Sequence, residues 1–390
     1  MVAQHPLATG LQSARPLQGK MPVECSAVGG KNPRKRLQSG DSQGNPPRSC
    51  PRSAGELDKV RSKPDKMRKS VVLHIGASKA GSSSIQAFMR RNRFVFAKHG
   101  YVVPDANLSV GGPVTGDHVF ALEAIAKERD AAGFRDRIDA IFDQSGPDAK
   151  TVLLSAENLS NTGNSAIIDG LAAVYDLHVV MYLRRQDELL TSAWQQWASK
   201  LESDFNAWLI MALTQFGHWD RVLKEWEEHA GEAAMVARVF DRASFLNGDL
   251  LQDFIDAIGL GSHADSFDFQ QGDSNPSVTD AITAMVAGNR KIFQDVHDNR
   301  FYNGLNALTG NSLVEKTRVS LLTQTQREKI IEYYRPTNEA VCRRYFPGRG
   351  RLFPPVDHAK YRYLSADEMT EEKLRAIMTI LAALVIDRGG

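Results

Sequence analysis

Residues 71 to 84 are the most informative part of the chain, and they read Val71-Val72-Leu73-His74-Ile75-Gly76-Ala77-Ser78-Lys79-Ala80-Gly81-Ser82-Ser83-Ser84. Apart from one histidine, the first five residues are apolar and mostly β-branched, which is typical of a buried parallel strand. Glycine, lysine and serine follow, and Ile85, Phe88 and Met89 then recur on one face of a helical pattern. The stretch therefore predicts a strand, a tight loop and a helix in direct succession.

The alternation of strand and helix continues through the middle of the chain. Helical patterns follow each strand, including a long one over residues 117–144 with a break predicted near Gly133. Short apolar runs predict four further strands, at Tyr101–Pro104, Thr151–Ser155, His178–Leu183 and Met235–Phe240. Right-handed βαβ crossovers would place these strands in a mainly parallel sheet with helices on both faces.

The C-terminal third has a different texture. Strand signals stop after about residue 275, and residues 277–347 and 365–388 read as helices. No repeat and no linker interrupts residues 70–390. We therefore predict one domain over 70–390 with a three-layer α/β fold of the P-loop type and a helical C-terminal part.

Composition excludes several classes of protein. The chain has 390 residues, 42% of them hydrophobic, which is enough for a large core. No apolar run approaches the ~18 residues of a transmembrane helix. Three cysteines are too few for a disulfide framework or a zinc site, so we expect no metal and a reducing, cytoplasmic setting. The sequence does not predict an oligomeric state.

Residues 1–69 form a basic segment that we expect to be disordered. Residues 1–70 contain 14 Lys or Arg and 5 Asp or Glu, and they hold 8 of the 16 prolines but no aromatic residue. Such a segment cannot bury enough surface to offset its ordering entropy. Without aromatic side chains to stack on bases, its cluster at 31–36 predicts a solvated tail and no nucleic-acid partner. An alternative is that translation begins at Met67, which the intact mass of the natively expressed protein would test.

The loop after the first strand has the features of a phosphate-binding site. Glycine lets the backbone turn tightly and approach a ligand, and the N-terminus of a helix attracts anions. An ordinary strand-to-helix turn with serine caps would not require Lys79 between two glycines. A Walker A loop places its lysine after the second glycine, whereas Ser82 follows Gly81 here. The nearest candidate for a Walker B strand ends in Glu157 rather than Asp, so the pattern argues against an ordinary NTPase.

The segment Leu73–Gln86 resembles the 5′-phosphosulfate loop of sulfotransferases that use 3′-phosphoadenylyl sulfate (PAPS), and most of all that of the bacterial members. Many members have Thr in place of Ser82 or Ser83, so the hydroxyl chemistry is retained. A second motif also resembles this family: Arg184 ends the strand His178–Leu183, and Ser192 follows eight residues later. The resemblance extends over roughly residues 70–355.

The resemblance implies a role for each matching residue. Arg184 and Ser192 would bind the 3′-phosphate of PAPS, and Lys79 would stabilise the leaving phosphate oxygen. The 5′-phosphate would be held by the loop, namely by Gly76, Lys79, Ala80, Gly81, Ser82, Ser83 and Ser84. The expected reaction is in-line transfer of a sulfuryl group to a hydroxyl or amine of a sugar, lipid headgroup or small molecule, without a metal.

Two residues are candidates for the base that accepts the acceptor's proton. Glu157 follows the strand Thr151–Ser155 at the carboxyl edge of the sheet, where sites of open α/β proteins lie. His118 precedes a helix, in a region where bacterial sulfotransferases often carry a histidine. Two alternative functions stay open at this point: a P-loop nucleotide-dependent phosphotransferase, and a sulfotransferase-like nucleotide-binding protein that has lost turnover.

Overall fold

The computed structural model describes residues 68–77, 79–270, 279–309 and 318–389. The segment predicted to be disordered therefore lies almost wholly outside the described residues, as does Ser78 in the loop. Within the described ranges, no helix has both the length and the apolar character needed to cross a membrane.

Five parallel strands form the central sheet. They are β1 (Ser70–His74), β2 (Tyr101–Val102), β3 (Thr151–Ser155), β4 (Asp176–Leu183) and β5 (Met235–Val239). Their order across the sheet is β2-β3-β1-β4-β5, and all four pairings are parallel. The predicted parallel α/β sheet is confirmed. Strand β2 is shorter than predicted and ends before Pro104, which has no N–H group to donate to a neighbouring strand.

Helices cover both faces of this sheet. Val71, Val72 and Leu73 are consecutive and all buried, which requires packing on each side of β1. The helices of the α/β part are α1 (Ser82–Arg91), α2 (Arg93–Lys98), α3 (Val119–Glu128), α4 (Ala131–Ser145), α5 (Gln186–Gln196), α6 (Phe205–Gln215), α7 (Trp219–Ala230) and α8 (Leu250–Ala257). Helix α4 packs against β3, α7 packs against β4 and β5, and α1 packs against α8.

The break in the 117–144 helical pattern lies at residues 129–130, not near Gly133 as predicted. Arg129 adopts a left-handed conformation with φ 54°, which ends α3. Asp130 then caps α4, because its Oδ1 accepts a hydrogen bond from the backbone N–H of Gly133 at 2.8 Å. Gly133 thus belongs to the first turn of a new helix, and the aspartate cap marks the true boundary.

The described C-terminal part contains the predicted helices, but it also contains two short strands that were not predicted. The described C-terminal helices are α9 (Asp280–Val286), α10 (Arg300–Thr309), α11 (Gln324–Tyr345) and α12 (Ala366–Gly389). Between them, β6 (Arg318–Ser320) and β7 (Tyr361–Tyr363) pair in parallel as a small second sheet. Strands of three residues are too short to produce an alternating pattern that sequence reading can recognise.

The topology directs two loops to one crevice. From β1 the chain proceeds to β2 and β3, and it then crosses β1 to reach β4 and β5. The connections after β1 and after β4 therefore leave in opposite directions. In open α/β sheets, ligands bind outside the carboxyl ends of the strands at such a switch point.

Helix α8 supports this crevice, and its cap can be tested. Asp249 begins α8 by accepting hydrogen bonds from the backbone N–H groups of Leu251 and Gln252 at 2.9 and 3.0 Å. We expect Asp249→Ala to lower the free energy of unfolding by about 1 kcal/mol, measured by denaturant titration. Asp249→Asn keeps a capping oxygen and is the matched control. Equal destabilisation by both substitutions would contradict this role of the cap.

Candidate functional site

The loop between β1 and α1 turns by means of two left-handed residues. Lys79 has φ 65° and Gly81 has φ 84°. Ala80 N donates to the carbonyl of Ala77 at 3.1 Å, and Ile85 N donates to the carbonyl of Gly81 at 3.1 Å, which begins the helix. The turn leaves the N–H groups of the first helical turn directed out of the helix N-terminus, as an anion site requires.

A buried hydroxyl in this loop has no hydrogen-bond partner. Ser82 begins α1 and is only 3% exposed, and its Oγ atom is unpaired. A Cβ atom on Gly76 would lie 2.5 Å from this Oγ and 3.3 Å from Cα of Glu157, so a larger residue there would force the Ser82 side chain to move. An unpaired buried hydroxyl at a helix N-terminus is what a bound phosphate would satisfy.

The two predicted motifs meet at Arg184. This residue directly follows β4, and its Nη1 donates to the backbone carbonyl of Lys79 at 2.6 Å. Its own carbonyl accepts a hydrogen bond from Nε1 of Trp219 at 3.0 Å, which fixes the backbone. The guanidinium also lies 5.6 Å from the ring centroid of Phe240, just after β5. Arg184 of the second predicted motif is thus in direct contact with the loop of the first.

Lys79 lies between a cation and a carboxylate. Burial of Lys79 and the neighbouring Arg184 charge lower its pKa from the ordinary value of 10.5, while Glu157 opposes this shift. Glu157 opens a short helical turn, Glu157–Ser160, immediately after β3. Since β3 and β4 flank β1, three adjacent strands deliver Glu157, Lys79 and Arg184 to one edge of the sheet.

His118 occupies a different environment. It has no exposed surface, its Nδ1 accepts a hydrogen bond from the backbone N–H of Ser155 at 3.1 Å, and its Nε2 lies 3.2 Å from the carbonyl of Pro104. Burial lowers its pKa below the ordinary value. With both ring nitrogens bound to backbone, His118 joins the ends of β2 and β3 and has no lone pair directed at a substrate.

The remaining predicted residues differ in how far they are exposed. Ala80 is buried, whereas Ser83 and Ser84 are exposed in the first turn of α1. Ser192 is half-buried on α5, one helical turn beyond Glu188. Because residues four apart share a helix face, Ser192 lies on the side of α5 where Glu188 meets Arg184.

Sequence reasoning missed a carboxylate beside Arg184. Oε2 of Glu188 lies 3.5 Å from Nη2 of Arg184, and its Oε1 accepts hydrogen bonds from Arg185 at 3.2 Å and from the Tyr361 hydroxyl at 2.8 Å. The spacing of four residues between Arg184 and Glu188 is the signal that could have revealed the pair. The contribution of Tyr361, 173 residues further along, had no such signal.

A buried ion pair connects this site to the C-terminal part. Arg327 on α11 pairs with Asp187 in the first turn of α5, and both side chains are almost completely buried. The Arg327 guanidinium also lies 3.6 Å from the ring centroid of Tyr361. Arg185 bonds to Asp187 as well, at 2.7 Å, so it turns away from the loop and toward this network. The network fixes the start of α5, and with it the position of Glu188.

Among the described residues, no three His, Cys, Asp or Glu side chains are grouped so that they could hold a metal ion. The groups that line the crevice are instead suited to anions. They include Lys79, Arg184, the unpaired Ser82 hydroxyl and a helix N-terminus, and the carboxylates Glu157 and Glu188 lie beside the two cations. Their chemistry therefore fits a ligand with more than one phosphate group.

Two known proteins are similar to parts of the chain. No family model matches the chain. A curated protein of Archaeoglobus fulgidus, described only as an uncharacterized protein, is 26% identical over 210 residues, which are 51% of this chain and 54% of that protein. The chain thus spans about half the length of this curated relative. Among solved structures, a sulfotransferase from Alicyclobacillus acidocaldarius aligns with 53% of this chain and 87% of its own, at 14% identity and a TM-score of 0.34.

Proposed function

We propose that the protein is a sulfotransferase that transfers a sulfuryl group from PAPS to a hydroxyl or amine acceptor. The observation that carries the proposal is the 2.6 Å hydrogen bond between Arg184 and the backbone of Lys79. This contact joins a loop suited to one phosphate to an arginine suited to a second. Two phosphate sites beside a lysine match the two phosphate positions of the donor. A ligand with a single phosphate would need only one such site.

Each phosphate group of the donor would occupy one of the two anion-binding sites. The 5′-phosphosulfate would lie at the N-terminus of α1. There the Oγ atom of Ser82 is buried and unpaired, and the helix N–H groups point outward. The 3′-phosphate would accept hydrogen bonds from Arg184 and Ser192. A guanidinium suits a phosphate dianion because its fork donates two parallel hydrogen bonds.

In the reaction, sulfur loses its bond to the phosphate oxygen of the donor and gains a bond to the acceptor atom. The acceptor oxygen or nitrogen attacks sulfur, and the bond from sulfur to the bridging phosphate oxygen breaks. Lys79 would stabilise the negative charge that develops on that oxygen, since its ammonium lies at the same loop. The lowered pKa of Lys79 also makes its proton easier to share with the leaving oxygen.

Glu157 is the better placed of the two candidate bases. Its charge acts on Lys79, and it follows β3 at the carboxyl edge of the sheet. His118, in contrast, is buried and bound through both ring nitrogens to backbone groups. We therefore assign the acceptor's proton to Glu157 and a structural role to His118.

The direct test is a calorimetric titration of the full chain with adenosine 3′,5′-bisphosphate, in buffer without magnesium. Micromolar or tighter binding, about −8 kcal/mol or better, is expected. Transfer of radiolabelled sulfate from PAPS to a panel of sugars and phenols would then identify the acceptor class. Failure of the folded protein to bind the bisphosphate would refute the proposal, and magnesium-dependent ATP turnover would favour a phosphotransferase instead. Binding without any transfer would favour an inactive nucleotide-binding protein.

Removing the Arg184 side chain should weaken nucleotide binding strongly. We expect Arg184→Ala to raise the Kd of adenosine 3′,5′-bisphosphate by about 10-fold to 100-fold, because charge-assisted hydrogen bonds contribute about 1.5–3 kcal/mol. The matched control ligand is 5′-AMP, which lacks the 3′-phosphate. Its Kd should change much less. Equal losses for both nucleotides would mean that Arg184 acts only by bracing the loop.

Neutralising Glu188 should have the opposite effect. Its carboxylate pairs with Arg184 at 3.5 Å and therefore competes with a phosphate for that guanidinium. We expect Glu188→Gln to tighten binding of adenosine 3′,5′-bisphosphate by about threefold at low salt, since this partly exposed pair is worth less than about 1 kcal/mol. The gain should shrink as salt is added. Weaker binding by Glu188→Gln would show instead that the carboxylate is needed to orient Arg184.

A further inference from the structure

A fully buried histidine lies beneath the phosphate loop. His74 ends β1, has no exposed surface, and packs edge-on against the rings of Tyr182 and Phe254. Its Nδ1 atom lies 2.8 Å from Oγ of Ser155, but its Nε2 atom has no hydrogen-bond partner. A buried nitrogen without a hydrogen bond lowers the stability of the folded protein, so the presence of one here needs a functional explanation.

Another unpaired buried atom, Oγ of Ser82, lies near the same part of the loop. A Cβ atom placed on Gly76 would lie 2.5 Å from Oγ of Ser82 and 3.2 Å from Cε1 of His74, the ring carbon between Nδ1 and Nε2. Two unpaired polar groups thus flank one glycine, at the helix end where the 5′-phosphate is proposed to bind. Neither group would remain unpaired if they were linked to each other and to the phosphate.

The chemistry of the imidazole determines how such a link would run. Burial lowers the pKa of His74 to about 4, so the ring is neutral near pH 7 and carries a single N–H. When the Ser155 hydroxyl donates to Nδ1, that N–H is on Nε2. Nε2 then donates to Oγ of Ser82, and the hydroxyl hydrogen of Ser82 is left to donate to an anion.

We propose that His74 is a positioning residue that aims the Ser82 hydroxyl at the 5′-phosphate, through a donor chain running from Ser155 to His74 to Ser82. This inference rests on the proposed function, which supplies the phosphate. Rotation of the Ser82 side chain, or one bridging water, closes the gap between Nε2 and Oγ when the nucleotide binds. Donors aligned in one direction polarise one another, which strengthens the final hydrogen bond to the anion.

Amide substitutions separate the two ring nitrogens. Asparagine places its amide near the position of Nδ1, which faces Ser155, whereas glutamine places its amide nitrogen near Nε2, which the proposed chain links to Ser82. We would titrate wild type, His74→Gln, His74→Asn, Ser82→Ala and the double variant His74→Asn/Ser82→Ala with adenosine 3′,5′-bisphosphate. The unfolding temperature without nucleotide would report separately on packing. His74→Phe keeps the aromatic packing and replaces His74→Asn if that variant does not fold.

The expected pattern is specific to a role through Ser82. His74→Gln should bind within about threefold of wild type, while His74→Asn and Ser82→Ala should each bind about 10-fold more weakly. The double variant should also bind about 10-fold more weakly, rather than about 100-fold, because both substitutions break one chain. Equal affinities for the Gln and Asn variants, or additive losses, would overturn the inference and leave the proposed function intact. Absence of binding by wild type would remove the proposed function, and this inference with it.

Discussion

Lys79→Met is expected to lower kcat for sulfuryl transfer by about 1,000-fold, while the Kd of adenosine 3′,5′-bisphosphate changes by less than about 10-fold. The reason is that the ammonium acts on charge that develops on the bridging oxygen only in the transition state, and losing one such donor costs about 10²–10³ in rate. Methionine keeps the unbranched shape of the side chain up to the ε position without its charge, and it experiences the same left-handed backbone strain as lysine at φ 65°.

The pH dependence of kcat/KM gives an independent check on Lys79. Burial and the charge of Arg184 disfavour its ammonium form, so its pKa is below 10.5 and the proton is lost at a lower pH than for an exposed lysine. Activity that depends on the charged form is complete below this pKa and declines above it. Wild type should therefore show an alkaline decline that Lys79→Met lacks. A Lys79→Met enzyme with wild-type kcat would refute the assignment.

The three central strands of the sheet could be predicted from the sequence because each contains a short apolar run that the fold buries on both faces. The predicted ends of the central strand and of the strand before Arg184 lie within two residues of β1 and β4. The position of the loop could also be predicted, since glycine and serine between a strand and a helix favour a tight turn. Spacing along the chain was sufficient for each of these features.

Features that depend on distant contacts could not be predicted. His118 carries no mark in the sequence that distinguishes a base from a buried histidine; only the fold brings Pro104 and Ser155 to its two ring nitrogens. The same holds for Tyr361, whose hydroxyl bonds to Glu188 across 173 residues. Electrostatic neighbours of the site come from elements that the chain reaches much later, so their identity follows from packing rather than from local pattern.

The second large effect on kcat is expected when the proposed base, Glu157 rather than His118, is replaced. Glu157→Gln is expected to lower kcat by about 100-fold or more, because general base catalysis contributes about 10²–10⁴ and the amide cannot accept the proton. Binding of adenosine 3′,5′-bisphosphate should be retained or slightly tighter, since a negative charge is removed beside an anion site. Single-turnover transfer from PAPS separates this loss from any change in acceptor binding.

His118→Gln is the matched comparison, and its effect should appear in stability instead. The imidazole joins Pro104 to Ser155, so its replacement disturbs the ends of β2 and β3 and lowers the unfolding temperature. At a temperature where the variant is folded, kcat should remain within several-fold of wild type. The opposite pattern, an inactive but stable His118→Gln enzyme and an active Glu157→Gln enzyme, would require the buried histidine to leave its backbone partners during turnover. The cost of separating two buried hydrogen bonds argues against that path, because each unpaired group left behind costs about 1–3 kcal/mol.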